Sequence, residues 1–513
     1  METPLKKKPS PVINISKQVF KNKKIALFII TYNAEKHITK TMDRIPIWCR
    51  PLFEEIYLID DSSNDKTIAV ALETARKNDL KNFFLMKTPK NQGYGGNQKI
   101  GYSYAIEKGF DIVILLHGDG QYPPEYIPNI VAQYNNPLID AVFGSRMTKP
   151  INALRGGMPI YKIIGNKILT KLENSILNTS LSEFHNGYRS YKTSALKKIP
   201  FSLNSNDFHF DTDIIIQLTI IKSKIIEISM PTHYGDEKCH VNGLKYAWNC
   251  IKSTIKARFH QAGIFFQPNF EINTNTRNYK LKKAPTSLHQ YILNQPWKKD
   301  EQILDLGAND GSLSQKINLT YKSKMTAMDI NVPKNIKQID TIIFDINKNI
   351  KELFGKKLFD KIIALDIIEH LHNPEKSVSE INHLLKNKGT LYASTANIGY
   401  IIMRITLLLG WFNYGKSGIL DKTHHRLFTI NSFRRLLQNN DFRILKIEGF
   451  GPPLLDAFGD NIFIKTIDKI CWFLAKTYPK LFAFNFLIIA EKNISLNEKI
   501  ERTIATKSTF HQE

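Results

Sequence analysis

The 513-residue chain has few cysteines, no long apolar run and a shortage of acidic residues. Its four cysteines, Cys49, Cys239, Cys250 and Cys471, never fall at C-x-x-C spacing. That scatter points to neither a disulfide framework nor a zinc site, and a reducing cytoplasm is expected. No stretch reaches about 18 consecutive apolar residues, so no membrane-spanning helix is expected. The nearest approaches, Tyr400–Phe412 and Ile462–Ala490, carry Arg404 and five charges respectively and read as buried or amphipathic helices. The first 24 residues lack the apolar segment of a signal peptide. Acids number 47 against 71 Lys and Arg, a net charge of +24, which calls for an anionic partner: nucleotide, phospholipid surface or nucleic acid. Positive charge concentrates in the first 24 residues (+6) and in residues 251–300 (+7). Apolar residues at 42% are enough for cores, and the length predicts two domains.

What is present is a repeated alternation of short apolar runs and helix-compatible stretches. IALFII (25–30), EIYLID (55–60), NFFLMKT (82–88) and DIVILLHGDG (111–120) alternate with helical segments at 34–47, 66–78 and 95–109. EQILDLG (301–307), KMTAMDI (324–330), TIIFDI (341–346), FDKIIALDII (359–368) and GTLYAST (389–395) form a second series, with helices at 312–319, 374–387 and 430–440. Such alternation predicts doubly wound parallel sheets, an α/β class with two domains. The polar, aperiodic stretch 260–287, with Pro268 and Pro285, separates them. The expected organisation is a basic tail at 1–23, a domain at 24–260, a linker at 261–285, a second domain at 286–493 and a C-terminal tail at 494–513.

In the first series, Asp60 and Asp61 end a buried strand, where two carboxylates are costly unless solvated or ligand-bound. Hydrogen bonding to the ribose or base of a nucleotide is one use. Asp119, between Gly118 and Gly120, suits a divalent cation on phosphate oxygens or an Asx turn without metal. Six segments then occur in one order: TYNAE (31–35), DDSSNDKT (60–67), NQGYGGNQKIGYSYA (91–105), HGDGQYPPE (117–125), FGSRM (143–147) and FHNGYRSY (184–191). This set resembles family 2 glycosyltransferases over residues 24–260, most of all the dolichol-phosphate mannose synthase and polyprenyl-phosphate glycosyltransferase branch. The resemblance implies a GT-A fold, inverting transfer and a nucleotide-diphosphate sugar. It places Thr31, Tyr32, Glu35, Asp60 and Asp61 around the nucleotide, and Asp119 and Gln121 at the end of the family's DxD element. The metal expected on Asp119 is Mg²⁺ or Mn²⁺. The first acid of that element is His117 here, a poor Mg²⁺ ligand. A sugar hydroxyl acceptor requires a base, for which Asp211 and Asp213 are candidates, with helix capping as the alternative use. A lipid phosphate acceptor needs none, and Arg146, Arg189 and His233 are then read as phosphate contacts.

In the second series, ILDLGANDGS (303–312) is a strand entering a Gly-containing turn, which allows close backbone approach to a nucleoside. It resembles motif I of class I S-adenosylmethionine methyltransferases, with Asn309 in place of the middle Gly. LDIIEHLHNPE (365–375), LLKNKG (384–389) and STANIGY (394–400) resemble later motifs of ubiquinone-biosynthesis-like methyltransferases. The similarity covers residues 286–492 and implies a seven-stranded Rossmann-like sheet ending in an antiparallel hairpin. Asp305, Gly307, Asn309, Gly311, Asp329, Asp345 and Asp366 are the expected S-adenosylmethionine contacts. Near the acceptor, His370, His424 and His425 are candidate bases, and Glu369 either meets the cofactor or caps a helix.

Together these readings predict a bifunctional cytoplasmic enzyme, with peripheral contact to anionic membrane, that glycosylates and methylates a cell-surface polysaccharide or glycolipid precursor. The acceptor is a glycan or polyprenyl phosphate. A S-adenosylmethionine-binding regulatory module is an alternative for the second half. An RNA-associated methyltransferase is another, but no basic–aromatic stacking motif accompanies the charge, so no nucleic acid is expected.

Overall fold

The computed structural model describes residues 11–231, 242–261, 265–272, 281–282, 284–333, 336–415, 417–459 and 461–493. Its internal contacts divide the chain into two units, Met1–Arg258 with Gln267–Asn275, and Phe259–Phe266 with Thr276–Glu513.

The first unit is built on seven strands: β1 (Ile25–Thr31), β2 (Glu55–Asp60), β3 (Phe83–Lys87), β4 (Ile112–His117), β5 (Ala141–Ser145), β6 (Arg189–Lys192) and β7 (Ile225–Ser229). Their order is β3-β2-β1-β4-β6-β5-β7, and only β6 runs antiparallel to its neighbours. The run IALFIIT is buried at every position because both faces of the sheet are covered. Ile25, Leu27 and Ile29 enter one core and Ala26, Phe28 and Ile30 the other, following the two-residue period of a strand. Thr31 pairs with Asp60 and Ile30 with His117, so the polar ends of β1, β2 and β4 meet at one edge.

Three expectations change here. Within the expected basic tail, Pro11–Asn22 is a helix whose Val19 and Phe20 join the core, with Phe20 edge-on to Phe53 at 5.0 Å. Within the expected linker, Phe270 and Ile272 are buried in the first unit's core. The expected helix at 34–47 is shorter, Ile38–Asp43, followed by a 3₁₀ segment that contains Pro51.

The second unit's strands are β8 (Gln302–Leu306), β9 (Lys324–Asp329), β10 (Asp340–Ile343), β11 (Phe359–Leu365), β12 (Leu385–Ala396), β13 (Phe442–Phe450) and β14 (Asn485–Lys492). Their order is β10-β9-β8-β11-β12-β14-β13, with β14 antiparallel to both β12 and β13. The closing hairpin is split by helices at Leu454–Phe458, Ile462–Thr477 and Pro479–Phe482. The two folds are a GT-A-like sheet and a Rossmann-like methyltransferase sheet. In both, strand order reverses beside the first strand, the place where open α/β sheets bind ligands.

Candidate active sites

At the edge of the first sheet, the two acids of β2 organise loops. Asp60 is fully buried and accepts the Ser63 amide at 2.9 Å and its hydroxyl at 2.5 Å. Asp61 accepts the Thr88 hydroxyl (2.9 Å) and the amides of Gln92 (2.8 Å) and Gly93 (3.0 Å). The loop 88–93 is thereby fixed against β2. The Oδ2 atom of each carboxylate accepts only one of these bonds and keeps capacity for a further donor, so a nucleotide contact is compatible with this role. Thr31 lies 3.5 Å from Asp60, Glu35 accepts the Lys66 amide at 3.1 Å, and the Tyr32 side chain is 44% exposed beside them.

Past β4, Asp119 accepts the Gln121 amide at 3.0 Å, an Asx turn that uses one carboxylate oxygen. Gly118 is required because a Cβ there would run into Thr31. The His117 ring lies edge-on to Tyr122 at 4.9 Å, and its Nε2 is 3.3 Å from the Tyr94 hydroxyl. A Cβ on Gly187 would approach this ring to 2.6 Å, so only glycine leaves it space. Burial pushes the imidazole pKa below its ordinary value, although Asp119 and Asp211 pull the other way. His117 is packed among aromatics.

Asp211 and Asp213 separate completely. Asp211 accepts the Tyr94 hydroxyl at 3.0 Å and the Gln98 amide at 3.2 Å, with the Arg189 guanidinium 3.7 Å away. Tyr94 therefore links Asp211 to His117. Asp213 instead accepts the Ser205 amide at 3.1 Å and the Ser253 hydroxyl, and burial raises its pKa. Two residues apart on the helix Phe210–Ile220, they point to different sides, and only Asp211 reaches the strand edge.

Both arginines expected at phosphate serve the protein instead. Arg189 is 1% exposed and donates to the carbonyls of Asn186 (2.7 Å), Phe184 (2.6 Å) and Asp211 (3.1 Å). Arg146 forms a buried pair with Glu183, whose carboxyl it holds below the usual range against the opposing effect of burial. Burial without an ion partner is expensive, which explains why each is fully engaged. His233 lies outside the described residues. Tyr94 and Gln98 were not anticipated; their only signal was their place among the glycines of NQGYGGNQ.

In the second unit, β8 enters a turn with Gly307 at φ +76, Asn309 at +49 and Gly311 at +71. Asparagine tolerates this left-handed region, so Asn309 can stand where the middle Gly was expected. Its amide donates to Asp329 at 3.1 Å, and the other oxygen of Asp329 accepts the Asn331 amide at 2.8 Å. The turn is thus pinned to the end of β9, and the donor set fits a nucleoside: bare backbone beside a carboxylate that retains acceptor capacity for ribose hydroxyls. Asp305 is buried inside instead, where it accepts the Ser314 hydroxyl at 2.5 Å. Burial, with Asp329 adding to it, raises its pKa to about 6. Asp345 caps its own loop through the Asn347 amide at 2.9 Å.

Asp366, at φ +49 after β11, accepts the Ser394 hydroxyl (2.7 Å) and the Asn485 amide (2.9 Å). Neighbouring Glu369 is buried, and burial together with the Asp366 charge raises its pKa to about 8. Its carbonyl accepts the amides of His425 and Arg426, which draws the 418–429 segment onto this loop. His370 and His424 come together, ring centroids 4.7 Å apart, whereas His425 packs on His372. His424 Nδ1 donates to the Ile419 carbonyl at 2.9 Å, leaving Nε2 as the basic nitrogen. Burial and His370 push the His424 pKa below its ordinary value. Beside Asp366 lies a cavity of about 50 Å³ lined in part by His289, Phe450, Asp456, Asp468 and Trp472.

Residues 26–200 match the family model of glycosyl transferase family 2, and residues 277–447 match that of a methyltransferase domain. An uncharacterized protein of Methanocaldococcus jannaschii is 29% identical over 238 residues, 45% of this chain and 97% of that protein. The UDP-N-acetylglucosamine–dolichyl-phosphate N-acetylglucosaminyltransferase of Methanococcus voltae is 26% identical over 225 residues, covering 42% and 88%. The undecaprenyl-phosphate mannosyltransferase of Micrococcus luteus is 24% identical over 212 residues, covering 40% and 82%. Among solved structures, mannosyl-3-phosphoglycerate synthase from Rubrobacter xylanophilus is 15% identical, with TM-score 0.40, covering 52% of this chain and 82% of that one.

Proposed function

From a chain that joins a family 2 glycosyltransferase domain to a class I methyltransferase domain, and is thus a transferase, we propose a bifunctional enzyme of glycolipid or polysaccharide assembly. Its first unit transfers a hexosyl group from a nucleotide-diphosphate sugar to polyprenyl phosphate, with inversion. Its second unit methylates from S-adenosylmethionine. The observation that supports both is the same one made twice: acids gather where adjacent parallel strands end, Asp60, Asp61 and Asp119 in one sheet, Asp329 and Asp366 in the other. The M. voltae and M. luteus relatives, named for transfer to dolichyl and undecaprenyl phosphate, support the lipid acceptor.

In the first unit, Asp61 holds the loop that closes the nucleotide side, and Asp60 and Glu35 brace the turn after β1. Asp119 retains one oxygen for a hard divalent cation, which fits Mg²⁺ or Mn²⁺; His117 Nε2 is engaged with the Tyr94 hydroxyl. When bound, that cation supplies charge neutralisation on the leaving diphosphate. The acceptor phosphate is already ionised, so no proton need be removed. In the second unit, the turn at 307–311 and Asp329 hold the cofactor, which supplies the electrophilic methyl. His424 Nε2, oriented by the Ile419 carbonyl, takes the acceptor proton. A prepared base favours an active methyltransferase over a purely regulatory binding module.

A peripheral membrane position, at a cytoplasmic face, fits the outward side of two helices. Ile160–Leu177 exposes Ile160, Tyr161, Ile164 and Ile168 among Lys162, Lys167 and Lys171. Ile462–Thr477 exposes Ile462, Phe463, Ile470 and Phe473 among Lys465, Lys469 and Lys476. Apolar faces interleaved with lysine suit an anionic bilayer surface. Among the described residues no helix is long and apolar enough to cross a membrane.

One observation favours a second reading, a glycan hydroxyl acceptor: Asp211 is positioned at the strand edge as a base would be. The two readings separate on one experiment. The full chain is given labelled nucleotide sugars with vesicles containing polyprenyl phosphate, and then labelled S-adenosylmethionine. Labelled sugar enters the lipid fraction, Asp211→Asn slows this less than about tenfold, and methyl label follows into the same product. A loss of about 100-fold or more, the scale of a missing base, would favour the hydroxyl acceptor. No transfer to lipid or glycan with any donor overturns the proposal.

A further inference from the structure

The scattered cysteines gave no zinc pattern because the ligands come from three separate elements. Glu173 lies in the helix Ile160–Leu177, His185 in the loop before β6, and Cys250 in the helix Gly243–Gln261. Each offers one ligand atom, and the three atoms lie within 4.8 Å of one another. Glu173 and Cys250 are fully buried. We propose that Glu173, His185 and Cys250 bind a single Zn²⁺ ion, at a site distinct from Asp119.

The second observation is the way two of these atoms face each other. Glu173 Oε2 and His185 Nε2 are 3.0 Å apart, yet neither makes a hydrogen bond. Buried polar atoms are nearly always satisfied, and a cation between this pair satisfies both. The surroundings orient all three ligands. His185 Nδ1 is 2.9 Å from the Tyr246 hydroxyl, which holds the ring with Nε2 facing Glu173. The Thr212 hydroxyl lies 3.3 Å from Cys250 Sγ and 3.4 Å from Glu173 Oε1. Such outer partners are what metal ligands require.

The ligand chemistry selects the ion. A sulfur, an imidazole nitrogen and a carboxylate suit Zn²⁺ and not the oxygen-seeking Mg²⁺. Binding converts the Cys250 thiol to a zinc-bound thiolate and releases its proton to solvent. One dication, one thiolate and one carboxylate then sum to zero charge, which makes the buried site tolerable. The ion also acts on the catalytic edge. It anchors the segment whose Phe184 and Asn186 carbonyls hold Arg189, and Thr212 adjoins Asp211. Its role is to position Arg189 and Asp211.

The test uses the full chain equilibrated with ZnCl₂, or with CoCl₂ as a spectroscopic substitute, and then desalted. Elemental analysis is expected to find about one zinc per chain beyond any Mg²⁺ or Mn²⁺. The cobalt form is expected to show thiolate-to-cobalt charge-transfer absorption. Cys250→Ser abolishes that absorption, and His185→Gln weakens zinc retention at least tenfold while keeping the thiol. Should either variant fail to fold, a chain with Cys49→Ala, Cys239→Ser and Cys471→Ser, in which Cys250 is the last thiol, must still show the band. A folded wild-type chain that retains no zinc, or a band that survives in folded Cys250→Ser, overturns the proposal.

Discussion

Asp305 belongs to a motif read as cofactor-binding, yet it is only 3% exposed and bonded to Ser314. Its pKa of about 6 makes it a measurable cost to stability. An unfolded Asp ionises near 3.8, so between that pH and about 6 the unfolded chain has lost a proton that the folded chain keeps. Stability contributed by this group therefore falls as pH rises through that window, and the penalty is complete above it. At about 1.4 kcal/mol per pKa unit, it amounts to roughly 2–3 kcal/mol. Asp305→Asn preserves an acceptor for Ser314 and removes the charge. The second unit's urea midpoint is expected to rise at pH 7 and to match wild type below pH 4. Equal midpoints at pH 7 would contradict this assignment. Residue roles were the least legible part of the sequence. Asp211 and Asp213 are indistinguishable as letters, and only the helix direction and the position of Ser253 separate them. Arg189 likewise reads as a phosphate ligand until its three carbonyl partners are seen. Polar residue types show that chemistry is available without showing whether the protein itself consumes it.

The glycines of NQGYGGNQKIGYSYA divide by function once their element is seen. Gly93 supplies a positive φ of +77 before the helix Tyr94–Glu107. Gly101 lies on that helix against β1, where a Cβ would collide with the Phe28 ring, itself stacked on Tyr57 at 5.0 Å. The ring cannot withdraw, because Tyr102 packs on it as well. Gly101→Ala improves helix propensity by up to about 1 kcal/mol. Overpacking a rigid core costs about 1–3 kcal/mol, and here it should win. The expected result is a lower unfolding midpoint for the first unit with far-UV helicity retained; a midpoint at or above wild type would show that the helix can lift away. Strands were the most legible elements, since runs such as IALFII and VILLH have one use in a sheet covered on both faces. β5, β6 and β7 were missed: AVFGS and IIEIS are short, and RSYK is also polar and antiparallel. The helix at Pro11–Asn22 was missed because it sits in a segment whose first 24 residues carry +6, whereas its three buried positions carry the packing.

The net charge of +24 is a property of the whole chain, and the two nucleoside-type sites account for little of it. A small part of it, net +2 on each of the helices Ile160–Leu177 and Ile462–Thr477, accompanies apolar exposure, where lysine stems lie along the surface and their ammonium groups remain solvated. Apolar area and positive charge together imply a binding mode with two separable components. Electrostatic attraction to an anionic bilayer acts over a Debye length, about 8 Å at physiological salt and about 3 Å at 1 M, whereas burial of isoleucine and phenylalanine side chains is insensitive to salt. Flotation with vesicles containing anionic lipid should therefore show binding at low salt that falls sharply, but not to zero, at 1 M. Neutral vesicles should retain only the salt-resistant part. Phe463→Ser with Phe473→Ser should reduce that remnant of binding, because each exposed aromatic ring contributes apolar area that water otherwise surrounds, and should leave the low-salt electrostatic component in place. A chain that ignores anionic vesicles at low salt, or dimerises through these phenylalanines instead, would show that this face meets protein.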